Sequence, residues 1–167
     1  MKSQGSIYVS VVLAALAGYF AYQWWFNPNR IIKQRLGEVA AALSAPPAED
    51  DIARLARLAR LRRYLDDRIH VRVGRGGPEL SSRDEAVGAA AGWKTPSAGW
   101  TIDFVDVDVR VNSDGTARAF ATAEMTTPDP QAGQRAPDSR EVAFSFSKNG
   151  GDWLISDAEV KDPPKTQ

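Results

Sequence analysis

Between Ile7 and Phe26 the chain carries no charged side chain, and that stretch limits what the rest can become. A helix needs about 20 apolar residues to cross a hydrocarbon core of about 30 Å; this segment is long enough. A cleaved leader is the rival reading, because Ala15-Leu16-Ala17 before Gly18 has the small-x-small form of a cleavage site. Cleavage there would leave Tyr19, Phe20, Tyr22, Trp24, Trp25 and Phe26 at a new N-terminus with no membrane to hold them. The anchor reading gives these residues work: Trp24, Trp25 and Phe26 form an interfacial aromatic belt, Asn27 caps a new helix and Pro28 takes its first position. The expected division is tail and transmembrane helix over 1–26, helical stalk over 27–47, folded domain over 48–162 and tail over 163–167.

Inside the span, Ser10, Ala14 and Gly18 recur every four residues, a small-residue face on which another helix can approach closely. The partners this implies are membrane lipid and either a second copy of the chain or another membrane subunit. Orientation has two readings. Arg30, Lys33 and Arg35 against Lys2 place the body in the cytoplasm. A short tail with one lysine before a single span is also how bacterial signal anchors begin, and this reading sets the domain on the periplasmic side of an inner membrane.

The charges balance, 21 basic against 21 acidic. Nucleic acid is therefore not an expected partner, since a phosphate binder concentrates Lys and Arg. With no cysteine and one histidine, neither disulfides nor a thiolate metal site can form, and no Asp/Asn spacing matches a calcium loop. Gly74-Arg75-Gly76-Gly77-Pro78 lacks the lysine and hydroxyl of a phosphate loop and reads as a turn. No cofactor or metal is expected.

Ile32, Leu36, Val39 and Leu43 give one helical stripe, which ends at Ala45-Pro46-Pro47. Arg54, Arg57, Arg60, Arg62 and Arg63 alternate with Leu55, Leu58, Leu61 and Leu65; the expectation is a leucine face inward and an arginine face in water, with Glu49, Asp50 and Asp51 at the helix start. Anionic lipid heads or an acidic partner are the functional alternative for those arginines. Residues 68–73 alternate as a short strand, and Ser81 or Ser82 caps a short helix running to about Gly92. Strands follow over 100–111, 116–127, 140–147 and 153–160, joined in two places by Asn112-Ser113-Asp114-Gly115 and Asn149-Gly150-Gly151-Asp152 as hairpin turns. The apolar parity of the first of these strands switches between Phe104 and Val105, which predicts a β-bulge and a bent sheet. The fold class is α+β: an N-terminal transmembrane helix and helical stalk, then helices packed in a curved, mainly antiparallel sheet.

This order, with "RIHVRV", "GGPELSSRDEAV", "WTIDFVDVDVRV", "GTARAFATAEMTT", "REVAFSFSK" and "DWLISDAEV", resembles the nuclear transport factor two-like superfamily over about Asp50 to Asp162. Ketosteroid isomerases and SnoaL-like polyketide cyclases share that fold. The resemblance implies a cone between sheet and helices, which in the enzymes holds an acid or base in apolar surroundings. Asp103 is the one carboxylate here that could serve, while His70 falls on the wet side of its strand. Trp153 reads as core, whereas Trp93 and Trp100 flank a loop and read as partner or ligand contacts. Fold alone does not assign function. The expectation is a non-catalytic accessory or assembly subunit of a membrane complex. A small-molecule or lipid binder and an isomerase or cyclase are the alternatives.

Overall fold

The computed structural model describes residues 11–19, 27–93, 98–128 and 138–162. Residues 11–19 are helical; the later elements are α1 (Pro28–Leu43), α2 (Asp51–Tyr64), β1 (Leu65–Val73), β2 (Glu79–Leu80), α3 (Arg83–Gly92), β3 (Thr101–Val111), β4 (Thr116–Thr126), β5 (Asp138–Asn149) and β6 (Asp152–Val160). The six strands form one sheet in the order β2-β1-β6-β5-β4-β3. Neighbours are antiparallel except β1 and β6, which run parallel. The sheet is thus mixed.

Local chemistry sets the boundaries. The Asn27 side chain accepts from the Asn29 N–H at 3.0 Å while its own backbone is extended, and Pro28 opens α1, which therefore begins afresh instead of continuing an earlier helix. Asp50 caps α2 by accepting from the Ala53 N–H at 2.7 Å, and Ser82 caps α3 by accepting from the Glu85 N–H at 3.2 Å. Gly150 and Gly151, both at positive φ, make a two-residue turn between Asn149 and Asp152; that conformation suits the right-handed twist of a hairpin.

One face of the sheet carries Ala117, Ala119 and Ala121 of β4, Val142, Phe144 and Phe146 of β5, and Trp153 and Ile155 of β6, all buried. Against it pack Ile32, Leu36 and Val39 of α1 and Leu61 of α2 in one continuous core. Burying such side chains contributes about 1.5–3 kcal/mol each. α1 is therefore part of the folded unit and not the free stalk expected over 27–47. The other face of the sheet turns out Arg118, Phe120 and Thr122 of β4 with Ala143 and Ser145 of β5.

Four expectations change in detail. Leu65 leaves the helical stripe and starts β1, opposite Ile155. Leu80, expected to lead into the short helix, instead forms β2 with Glu79, against Val71 and Arg72. Val105 faces Thr122 and Asp108 faces Phe120, so the bulge consists of Asp106 and Val107, just beyond the parity switch. Asp106 takes φ 53° there, a left-handed conformation that aspartate tolerates, and both Phe104 before it and Val109 after it pack against the core. In α2, Leu58 and Leu61 are buried at 7% and 3% exposure, but Leu55 is 67% exposed.

Candidate functional site

The last turn of α1 is stitched to the start of β3. Ser44 Oγ donates to the Ala40 carbonyl at 2.8 Å and accepts from the Ile102 N–H at 2.8 Å. Ala45 and Trp100 exchange both backbone hydrogen bonds, and the Trp100 indole N–H donates to the Leu43 carbonyl at 2.8 Å. Gly99, at φ 71°, lets the strand approach this closely: a Cβ there would lie 2.4 Å from the Ala45 carbonyl oxygen. These contacts fix the end of α1, Leu43 to Ala45, against the start of β3.

Beside this junction lies a groove of about 760 Å³. Gly37, Ala40 and Ala41 of α1 form one wall, Ala53, Ala56 and Arg60 of α2 the other, and Trp100, Ile102 and Phe104 close one end. Its walls are mostly small and apolar. Two charges are built into them: Arg57 Nε and Nη2 donate to Glu49 Oε1 and Oε2 at 2.7 and 2.9 Å, and Arg57 Nη1 donates to the Ala42 carbonyl at 3.0 Å. Both side chains are buried, at 6% and 4% exposure. A bidentate pair this far from water is favourable because each charge is fully hydrogen-bonded, and breaking it would strand one of them. Its structural effect is to pin the Pro46–Asp50 connection onto α2.

The ion pair departs from the expected arrangement, in which Arg57 stands in water with the other arginines and Glu49 lies in the first helical turn. The available signal was angular. Arg-Leu recurs every three residues at Arg54, Arg57 and Arg60, and on a helix of 3.6 residues per turn each step of three falls about 60° short of a full turn. Successive arginines cannot share one face. Arg54 donates to the Ala91 carbonyl of α3, Arg57 turns inward, and Arg60 is exposed.

The other expected site residues are dispersed. Trp100 is buried at 5% exposure, while Trp93 remains 48% exposed and stands edge-on to it with ring centroids 6.0 Å apart. Trp153 is buried. Asp103 lies exposed at the groove's rim, opposite Glu124 of β4, without the apolar enclosure a buried base needs. His70 is exposed on β1. Ala14 and Gly18 lie on the 11–19 helix, every residue of which is exposed. Ser10, Trp24, Trp25 and Phe26 lie outside the described residues, and among the described residues no helix is long and apolar enough to cross a membrane.

The displaced titrations resolved among the described residues are away from the groove. The Thr116 hydroxyl, then its N–H, hold Asp114 below the ordinary carboxylate value, and the Glu141 carboxylate at 2.9 Å holds Lys161 above the ordinary lysine value.

A solved structure of an NTF2-like protein with a cystatin-like fold from Novosphingobium aromaticivorans superposes on this chain with a TM-score of 0.70, covering 90% of this chain and 92% of that one at 12% identity. The fold is nuclear transport factor two-like. An NTF2-like protein of unknown function from Pseudomonas putida KT2440 matches at TM-score 0.59 and 11% identity, covering 79% of this chain and 84% of its own. A cystatin-like-fold protein from Caulobacter vibrioides matches at TM-score 0.60 and 15% identity, covering 81% and 89%. No protein-family model matches the chain, and no curated protein matches it in sequence. At these identities the likeness to nuclear transport factor two-like structures concerns the fold alone.

Proposed function

We propose that this chain is a non-catalytic, single-pass accessory subunit of a bacterial inner-membrane complex, presenting its nuclear transport factor two-like domain at the periplasmic surface. The observation that carries this is the 11–19 helix. It reads VVLAALAGY, and Val11, Val12, Leu13, Leu16 and Tyr19 are all among the exposed large hydrophobics. An apolar helix with every residue exposed requires lipid or another helix around it. The uncharged sequence continues on both sides, from Ile7 to Phe26. The groove supports the non-catalytic part of the reading, because its two buried charged side chains, Arg57 and Glu49, satisfy each other, while Asp103 and Arg60, which also line it, are exposed to water and lack the apolar enclosure that tunes an acid or base.

The test is extraction of the tagged full-length protein from its native membrane in mild detergent, followed by mass determination of the intact complex. A Cβ at Gly18 would meet nothing within 4 Å, so Gly18→Leu leaves the chain's own fold alone and challenges only a packed partner. A stoichiometric complex that Gly18→Leu disrupts supports the subunit reading; recovery of the protein alone sinks it.

A second reading is favoured by the groove itself, whose 760 Å³ falls in the range of small-molecule sites. In that case the domain carries an apolar ligand between α1 and α2. Gly37 lines this space and a Cβ there also meets nothing, so Gly37→Leu fills the groove, and a co-purifying ligand would be lost from that variant.

A further inference from the structure

We infer that the outward faces of α1 and α2 together form a docking surface for an anionic lipid bilayer, laying the domain down on the membrane that anchors it. This rests on the anchored reading above and adds which face meets the lipid and by what chemistry.

On α1, Arg30, Lys33, Gly37 and Ala41 lie opposite the buried stripe of Ile32, Leu36 and Val39 and are exposed. On α2, Ile52, Ala56, Ala59 and Arg63 lie opposite Leu61, with Leu55 and Arg60 flanking them, and all six are exposed. The two faces are neighbours. Arg35 stands 5.0 Å from the Tyr64 ring and Arg57 bonds to Ala42, so the helices run antiparallel, and Arg60 shares the groove with Gly37 and Ala41.

Charge on this surface is one-sided although the protein is neutral as a whole. Arg30, Lys33, Arg60 and Arg63 have no carboxylate partner among the described residues. Of the nearby carboxylates, Glu38 is shared by Arg35 and Gln34, Glu49 is held by Arg57, Asp50 caps α2 and Asp51 sits in its first turn, and Asp103 stands at the groove's rim on β3. The opposite side of the sheet differs: Arg72 pairs with Asp157 and Glu159, Arg110 with Asp108, and Lys161 with Glu141, while Arg118 has no carboxylate partner among the described residues. Four unpaired cations on one surface, held next to an anchor, are what anionic headgroups attract.

Apolar side chains stand among these cations. Ile52 is 80% exposed and Leu55 67%. A helix that shows isoleucine and leucine beside arginines matches the composition of interfacial helices. The break at Asn27 supplies the geometry. Because α1 starts from its own cap at Pro28, it is free to run along the membrane surface instead of rising from it as a continuation of the span.

The test exploits the absence of cysteine. Full-length protein carrying Ala59→Cys with a nitroxide label is placed in nanodiscs of phosphatidylcholine alone or of equal parts phosphatidylcholine and phosphatidylglycerol. Relaxation by oxygen and by a water-soluble nickel chelate reports the depth of the label. Expected are lipid depth for position 59 in the anionic discs, an aqueous environment in the neutral ones, and loss of the difference with Arg60→Glu/Arg63→Glu. Arg118→Cys on the far face should stay aqueous throughout. Circular dichroism of the exposed-residue variants checks that the fold survives. An aqueous label in both lipids, in protein that has entered the discs, overturns the docking surface and leaves the anchor intact. Shielding of position 59 only in native membranes, where an acidic protein accompanies the chain, assigns the face to that protein and overturns the lipid. Failure of the full-length chain to enter either disc removes the anchored reading and this inference with it.

Discussion

Two halves of one helix show how little a repeated sequence constrains a repeated role. In α2, Arg57 and Leu58 are buried, whereas Leu55 and Arg60, in the same Arg-Leu pattern three residues either way, are exposed. The composition of the two faces is nearly the same. Their environments differ because a three-residue period precesses around a 3.6-residue helix, so the buried line runs through Arg57, Leu58, Leu61 and then Leu65 of β1. The outward line runs through Ile52, Leu55, Ala59 and Arg63. An arginine on the inward line has to bring its own counter-ion, and Glu49 is that counter-ion. An arginine on the outward line needs only solvent or an external anion.

The sharpest way to break this comparison is to remove one charge on each side. Glu49→Ala strands Arg57 and should destabilise the domain by about 3–5 kcal/mol, as should Arg57→Ala, while Arg60→Ala should stay within about 0.5 kcal/mol. Replacing both Glu49 and Arg57 by leucine should restore much of the loss, which urea unfolding of the detergent-solubilised chain would report. Next come the leucines. Leu61→Ala should cost about 2–5 kcal/mol and Leu55→Ala less than about 0.5 kcal/mol; equal costs would show that the helix is rotated from the orientation described. Removing the cap that fixes where α2 starts, by Asp50→Ala, should cost about 1 kcal/mol, and hydrogen exchange should show the loss concentrated in the first turn.

The smallest effect concerns the β3–β4 hairpin, where the Thr116 hydroxyl lowers the Asp114 pKa. A lowered carboxyl pKa favours the folded state above the ordinary aspartate value, and that contribution disappears as pH falls through the depressed value. Thr116→Val should move the Asp114 titration upward toward an ordinary aspartate in a carboxylate-resolved NMR experiment. No change would mean that the hydroxyl does not hold the carboxylate in solution.

Much of this architecture was legible in the residues. Period-two patterns gave β3 to β6, the Asn-Ser-Asp-Gly and Asn-Gly-Gly-Asp turns gave two hairpins, the Asn27-Pro28 and Ser82/Glu85 pairs gave two helix starts, and the parity switch at Phe104 gave the bulge within two residues. What escaped depended on distant partners. β2 is two residues long and exists only because β1 lies beside it. Trp100 looked like a loop tryptophan because nothing local shows that Leu43 would offer its carbonyl to the indole. The burial of Arg57 needed Glu49, eight residues away across a proline-containing connection, to fold back onto α2. α1 looked like a stalk because the surface it packs against, β3 together with the core face of β4 to β6, comes much later in the chain, from Thr101 onward.

The central claim is the anchor, and alkaline carbonate extraction of membranes from cells expressing the full-length chain tests it most directly. High pH strips peripheral proteins and leaves spanning ones. The account predicts that the protein stays in the membrane pellet and leaves it only with detergent. Full release into the carbonate supernatant would contradict a spanning helix over residues 7–26, and the exposed apolar helix would then need a protein partner to cover it.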